Sequence, residues 1–384
     1  PDSVTEVGEY AFANLKADEL NIGAGLTTLP EGVFSNLSYC FDDLTVNLGE
    51  NLTSIAPHAF MGNVPIINLT VYGTEALIRD CEMLCNASNI TYVVETGDEN
   101  WLQEQIHAAP DGVQTVISLT ESVAIENATI VIPAGKDIVL ADDGTARSIA
   151  LSDSAGTGLS LFRVEAGASL TLRTSNGNDE MLRLEGKYPK EDAGSVVTVE
   201  GEFTLEGGTL VGGNLIHSRS GAVVVGQNAR FTMTGGVIER TRIDEDAAGN
   251  LTLNAPVVVA PGAAFAMSGG EIRNNNLLSG KAANCGGGVL FWTWNPGDAA
   301  ARMTLSGDAK IQDNRSNDGG GIYLIGEVSL TMSGGSITGN FASGMGGGVC
   351  VAGENGSRTG NCQFTMLGGE ISNVVVGQVL SMER

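Results

Sequence analysis

From residue 113 onward, apolar residues recur in a triplet whose outer members are large and whose middle member is usually threonine. The copies are Ile138-Val139-Leu140, Leu170-Thr171-Leu172, Phe203-Thr204-Leu205, Phe231-Thr232-Met233, Phe265-Ala266-Met267, Met303-Thr304-Leu305, Leu330-Thr331-Met332 and Phe364-Thr365-Met366. Alternation with period two predicts a short strand at each, with the outer pair facing a core and the threonine facing away. The copies stand 27 to 38 residues apart, the period of a supersecondary unit that repeats. A glycine usually precedes each triplet, and Gly-Gly-x-Ile/Val follows it, as in Gly235-Gly236-Val237-Ile238 and Gly269-Gly270-Glu271-Ile272. Gly307-Asp308-Ala309-Lys310-Ile311 is a degraded copy with one extra residue. Asn275, Asn314 and Asn340 each stand three residues past the isoleucine, where stacked amides would bond from turn to turn. The pattern predicts a parallel β-helix with three strands per turn over residues 113–384.

Residues 1–95 carry a different pattern. A small residue precedes phenylalanine in Tyr10-Ala11-Phe12, Gly32-Val33-Phe34 and His58-Ala59-Phe60. A short alternating strand follows each, at Glu19-Leu20-Asn21-Ile22, Asp43-Leu44-Thr45-Val46 and Asn68-Leu69-Thr70-Val71. The steps Leu20, Leu44 and Leu69 fit a leucine-rich period of ~20–29 residues. Each phenylalanine is expected to plug the core from the side opposite the strand. A helical run over 74–87 and a strand over 90–94 would close this array. Residues 96–112 read as a linker with a capping helix, whose Trp101, Ile106 and Leu102 would cover the first open turn of the coil.

The first array resembles the BspA-like leucine-rich repeats of bacterial surface proteins, through Val7-Gly8-Glu9-Tyr10-Ala11-Phe12 and Ile55-Ala56-Pro57-His58-Ala59-Phe60. Two to three copies are expected over about a quarter of the chain. The coil resembles the right-handed, pectate-lyase-like solenoids, and its Gly-Gly-x-Ile, Asn and Gly-Gly-Gly signature is similar to repeats of adhesin-like cell-surface proteins. These resemblances imply a mostly β protein of two solenoids, secreted or displayed on a bacterial surface. Val374-Val375-Val376-Gly377-Gln378 repeats Val223-Val224-Val225-Gly226-Gln227, so a new turn starts near the end of the sequence. A further domain or end-to-end self-association is the expectation there.

Composition narrows the partners. The 384 residues hold 45 Asp and Glu against 20 Lys and Arg, a formal charge of −25. Such a surface repels phosphate backbones, which argues against nucleic acid. No apolar run is long enough to cross a membrane. The six cysteines are Cys40, Cys81, Cys85, Cys285, Cys350 and Cys362, and they read as buried thiols, with a Cys350–Cys362 link left open.

No catalytic set emerges. The motifs that polygalacturonase-type hydrolases carry on successive turns do not occur together, and Asp142-Asp143 has no matching partners. The paired carboxylates of a glycosidase cannot be picked from so acidic a background. The glycine triplets at 286–288, 319–321 and 346–348 lead into strands rather than helices, so they read as structural. Calcium stays open as a cofactor at Asp244, Glu245 and Asp246, and at the Asn176–Glu180 loop, although neither has the spacing of a known calcium loop. The leading surface feature is Gly288 to Pro296. If Val289 and Phe291 point inward, Leu290, Trp292 and Trp294 point outward, with Tyr323 beside Leu290 one turn along. Exposed aromatic faces stack on sugars. The leading functional expectation is therefore a non-enzymatic surface protein for adhesion or presentation, binding a glycan or a host or microbial surface protein. A polysaccharide lyase or hydrolase on the β-helix is the alternative, and a structural stalk is a third.

Overall fold

The computed structural model describes residues 3–16, 19–23, 25–36, 43–47, 52, 54–56, 58–60, 68–72 and 89–93 of the first part. From residue 99 on it describes all but 127, 152–158, 187–194, 213, 216–218, 244–250, 279–281, 284, 294–297, 353–360 and 378–384. The chain divides into two compact units, Pro1–Glu95 and Thr96–Arg384.

In the first unit, strands Glu19–Asn21, Asp43–Asn47, Asn68–Tyr72 and Asn89–Val93 form one parallel sheet in chain order. The register pairs Leu44 with Leu69 and Leu69 with Ile90, as a repeat of near-constant length requires. Phe12, Phe34 and Phe60 stack in a column, with centroids 5.6 and 5.2 Å apart. Backbone bonds from Phe12 N to Val33 O and from Phe34 N to Ala59 O hold successive copies one above the other. The expected helix over 74–87 lies outside the described residues.

The second unit is a parallel β-helix. The triplets form one face, in register from Ile138-Val139-Leu140 through all eight copies to Phe364-Thr365-Met366. The Gly-Gly-x-Ile segments form a second face, on which Val123, Ile149, Leu184, Leu210, Ile238, Ile272, Ile311, Ile337 and Ile371 make one column. A third face runs from Ile130–Ile132 to Val349–Ala352. From Asn214–Leu215 onward a short fourth strand is added at a corner of each turn. The inward columns of the three main faces close on one core, in which Phe203, Phe231 and Phe265 stack at 5.1 and 4.7 Å. Each such side chain taken out of water contributes ~1.5–3 kcal/mol.

The asparagines form a buried ladder. Asn275 Nδ2 donates to Asn314 Oδ1 at 2.9 Å, and Asn314 Nδ2 donates to Asn340 Oδ1 at 3.1 Å. The same oxygens accept the backbone N–H groups of the turn below, so one column of amides satisfies side chain and corner together. The glycine triplets are structural for a steric reason, since a Cβ on Gly287 would come 1.9 Å from the Gly320 carbonyl oxygen.

A helix, α1 (Glu99–Ala108), covers the first turn with Leu102 and Ile106 fully buried and Trp101 packed against the core. It also satisfies the exposed strand edge. Gln103 Nε2 donates to Val131 O at 2.8 Å and its Oε1 accepts from Val131 N at 2.7 Å, as the next strand would. At the other end the last described turn leaves Met366, Leu367, Val375 and Val376 exposed. No described helix is long and apolar enough to cross a membrane.

Candidate functional site

The aromatic patch requires a correction. Val289 and Phe291 do face the core, and Leu290 and Trp292 do face outward, so the alternation is as expected. The outer side is nevertheless not solvent. Leu290 is 0% exposed and Tyr323 3%, both sealed in a second apolar cluster with Leu253, Ala255, Val258, Ile325 and Cys350. The corner at Leu253–Ala255 lies over that face, and a sheet with a lid on its outer side buries both sets of side chains. Trp292 is half-buried, with the Arg219 guanidinium 4.4 Å from its ring centroid. Trp294 lies outside the described residues, as do Asp244, Glu245 and Asp246.

The polar groups of the other candidates make local hydrogen bonds and ion pairs. Asn176 Oδ1 accepts from Asn178 N and Asn178 Oδ1 accepts from Glu180 N, which spends both amide oxygens on turns. Asp142 accepts from Gly144 N, Ser175 N and Ser175 Oγ, and Asp143 pairs with Arg147 at 2.6 Å. Among the described residues, no disulfide joins Cys285, Cys350 or Cys362. The Cys350–Cys362 link is not formed; Cys350 belongs to the outer cluster, and Cys362 packs against the central core. No described group of three His, Cys, Asp or Glu side chains is placed to hold a metal.

What the structure brings together instead is a trough on the second face. It has a volume of about 570 Å³ and crosses five turns, from the Asp179 corner to the Asp308 corner. Its floor is made by the Gly-Gly corners. Gly270 has φ +77°, and a Cβ there would come 2.4 Å from Gly235 O, so the stacking of turns itself demands a bare floor. Its walls are the outward residues of the x-Ile-x strands and the corners beside them. Glu271 is the hub. Lys310 Nζ donates to Glu271 Oε1 at 2.8 Å, Arg273 Nη1 donates to Glu271 Oε2 at 2.8 Å, and Arg273 Nε donates to Glu239 Oε2 at 3.2 Å. Farther along, Arg173 holds Glu206 at 2.5 Å and Arg183 holds Glu180 at 2.6 Å.

Two carboxyl groups of this trough sit on opposite sides of their ordinary values. The Lys310 hydrogen bond holds Glu271 below the usual range, against its partial burial, and Arg273 adds to the effect. Burial pushes Asp179 up; the Gly208 N–H, 3.0 Å from its Oδ1, pulls it partly back, the Glu271 charge raises it, and the Arg273 charge, acting without a bond to it, lowers it. Sequence reasoning missed this site because its residues are scattered from 177 to 310 and meet only through the register of the turns. Two partial signals were available: the Asn176–Glu180 loop, whose Asn178, Asp179 and Glu180 line one end of the trough, and the degraded copy, whose Asp308 and Lys310 interrupt the run of Gly-Gly corners and line the other.

Residues 1–92 match the BspA type leucine-rich repeat region, in six copies. That is more than the two to three expected from the phenylalanine motif. The match covers about a quarter of the chain. Neither the curated proteins nor the solved structures give a match to this chain.

Proposed function

We propose that this chain is a non-catalytic module of a bacterial surface protein, extracellular in location, whose β-helix wall binds a ligand for adhesion or presentation. The carrying observation is the trough. Its charged walls are fixed by ion pairs among neighbouring turns before any ligand arrives, which lowers the ordering cost of binding. The leucine-rich match supports the surface setting. The ligand belongs to the glycans or proteins of a host or microbial surface, since an acidic chain repels nucleic acid.

The test is capture from glycan and peptide arrays by the whole chain, beside a Glu271→Gln/Lys310→Gln variant shown by melting to be fully folded at the assay temperature. Capture of intact ligand by the parent and not by the variant supports the reading. Capture that is absent, or insensitive to the variant, removes it.

A second reading, glycoside hydrolysis in the same trough, is favoured by one observation. A raised carboxyl at Asp179 and a lowered one at Glu271 are the environments of a general acid and its ionised partner. New reducing ends released from a captured polysaccharide, and lost in Asp179→Asn, would favour this reading over the first.

A further inference from the structure

Within the trough, most charges are already matched. Lys310 and Arg273 are bound to Glu271, Glu206 is held by Arg173, and Glu180 by Arg183. Two carboxylates remain, one at each end. Asp179 is half-buried and takes only the Gly208 N–H, and Asp308 is exposed on the last corner; neither has an ion-pair partner among the described residues. A partly buried carboxylate without a cation is costly, and an incoming cation relieves that cost. Among the described residues, no aromatic side chain lines the trough to stack on a sugar ring.

We propose that the trough seats an extended, basic segment of a partner protein, with one cationic side chain at Asp179 and a second at Asp308. The spacing follows from the fold. Asp179 and Asp308 stand on turns four strand spacings apart, ~19 Å along the axis. An extended chain covers that distance in about six residues. Side chains at i and i+6 of an extended segment share one face, so two lysines or arginines six apart reach both carboxylates together. Between them the glycine floor lets the peptide backbone lie close. The Lys310–Glu271–Arg273 group offers it fixed donors and acceptors.

This inference rests on the trough being the ligand-binding surface, and it names the class of ligand. The probe is a fluorescein-labelled peptide with lysines at positions one and seven separated by glycine and serine, measured by fluorescence polarisation at low salt on the whole chain. Controls are the same peptide with both lysines acetylated, and a peptide with the lysines two apart. Asp179→Asn keeps an oxygen for the Gly208 N–H and removes only the charge; Asp308→Asn changes an exposed side chain. Melting temperatures confirm that both variants are folded. Each substitution is expected to weaken the spaced peptide about tenfold, and both controls to bind at least about tenfold more weakly. Added salt weakens binding as well.

Equal binding of the acetylated peptide overturns the proposal, and so does full affinity in Asp179→Asn and Asp308→Asn. Binding of a glucosamine oligomer but not the peptide, lost on the same two substitutions, overturns the peptide class and keeps the trough as the site. Loss of array capture in Glu271→Gln/Lys310→Gln, with no binding of the spaced peptide, likewise overturns only the class. Array capture indifferent to that variant overturns the trough itself.

Discussion

Asn314 is the middle of the buried amide ladder. Its Oδ1 accepts both the N–H and the side-chain amide of Asn275, while its Nδ2 serves Ile272 O and Asn340 Oδ1. Asn314→Ala leaves several of these groups buried without partners, each costing ~1–3 kcal/mol. A loss of about 3 kcal/mol or more is expected by urea denaturation, while Thr304→Ala, on an exposed middle position, should change little. The buried thiols give a second residue-level outcome. Burial pushes Cys285 up to about 12, Cys350 to about 11 and Cys362 to about 12. Thiolate, the reacting form, is then scarce at about pH 8. Site-resolved mass spectrometry after iodoacetamide treatment should find these three unlabelled in the folded chain and labelled in urea. The ladder was readable from spacing alone, because every asparagine sits at the same offset from an isoleucine. The burial of Leu290 and Tyr323 was not. Alternation tells which side of a strand a residue faces, but the lid at Leu253–Ala255 belongs to another turn.

At the scale of elements, the strands of the β-helix were legible because each face repeats its own signature, and the register confirms the triplets copy by copy. The fourth short strand was not, since Asn214–Leu215, Arg242–Ile243 and Asn276–Leu277 are each a single polar–aliphatic pair, too short for a period to show, although Leu215, Ile243 and Leu277 meet in one buried cluster. The capping helix was visible as an amphipathic run, but the means by which it finishes the sheet was not. A single glutamine amide supplies one donor and one acceptor to Val131, replacing the two backbone bonds of an absent strand. Lys136 Nζ meanwhile reaches the carbonyls of His107 and Ala109 at the helix C-terminus. Gln103→Ala should therefore loosen the first turn more than a change to a half-exposed side chain suggests. Each of the two uncovered groups costs about 1 kcal/mol or more. Hydrogen exchange should quicken at Val131, while the amides of Phe231 and Phe265, several turns away, keep their protection. Equal protection at Val131 in parent and variant would show that packing of Leu102 and Ile106 alone makes the cap.

For the whole molecule, a charge of −25 would be expected to relax when acid neutralises carboxylates, yet the individual groups pull in opposite directions. Glu271 is held below its ordinary 4.5 by Lys310, and Asp143 below 3.8 by Arg147. A depressed folded-state value means these groups stabilise the fold at pH above their ordinary values and lose that contribution as pH falls through the folded one. Asp179 and Asp318 are pushed up by burial. They weigh against the fold above their raised values, and the penalty disappears as pH falls toward 3.8. Two substitutions separate these effects. Glu271→Gln should melt below the parent at about pH 7 and converge with it as the pH falls through the lowered value of Glu271, because only the ionised glutamate holds Lys310 and Arg273. Asp179→Asn should melt at or above the parent at about pH 7, and its advantage should shrink as the pH falls, because the amide keeps the Gly208 bond without a buried charge. A gap of the same sign in both variants would mean that general repulsion on the acidic surface, rather than the local setting of each carboxyl, governs the response to pH. The opposite gaps expected here would mean that the trough keeps Asp179 charged at a cost to stability, as a site awaiting a cation does.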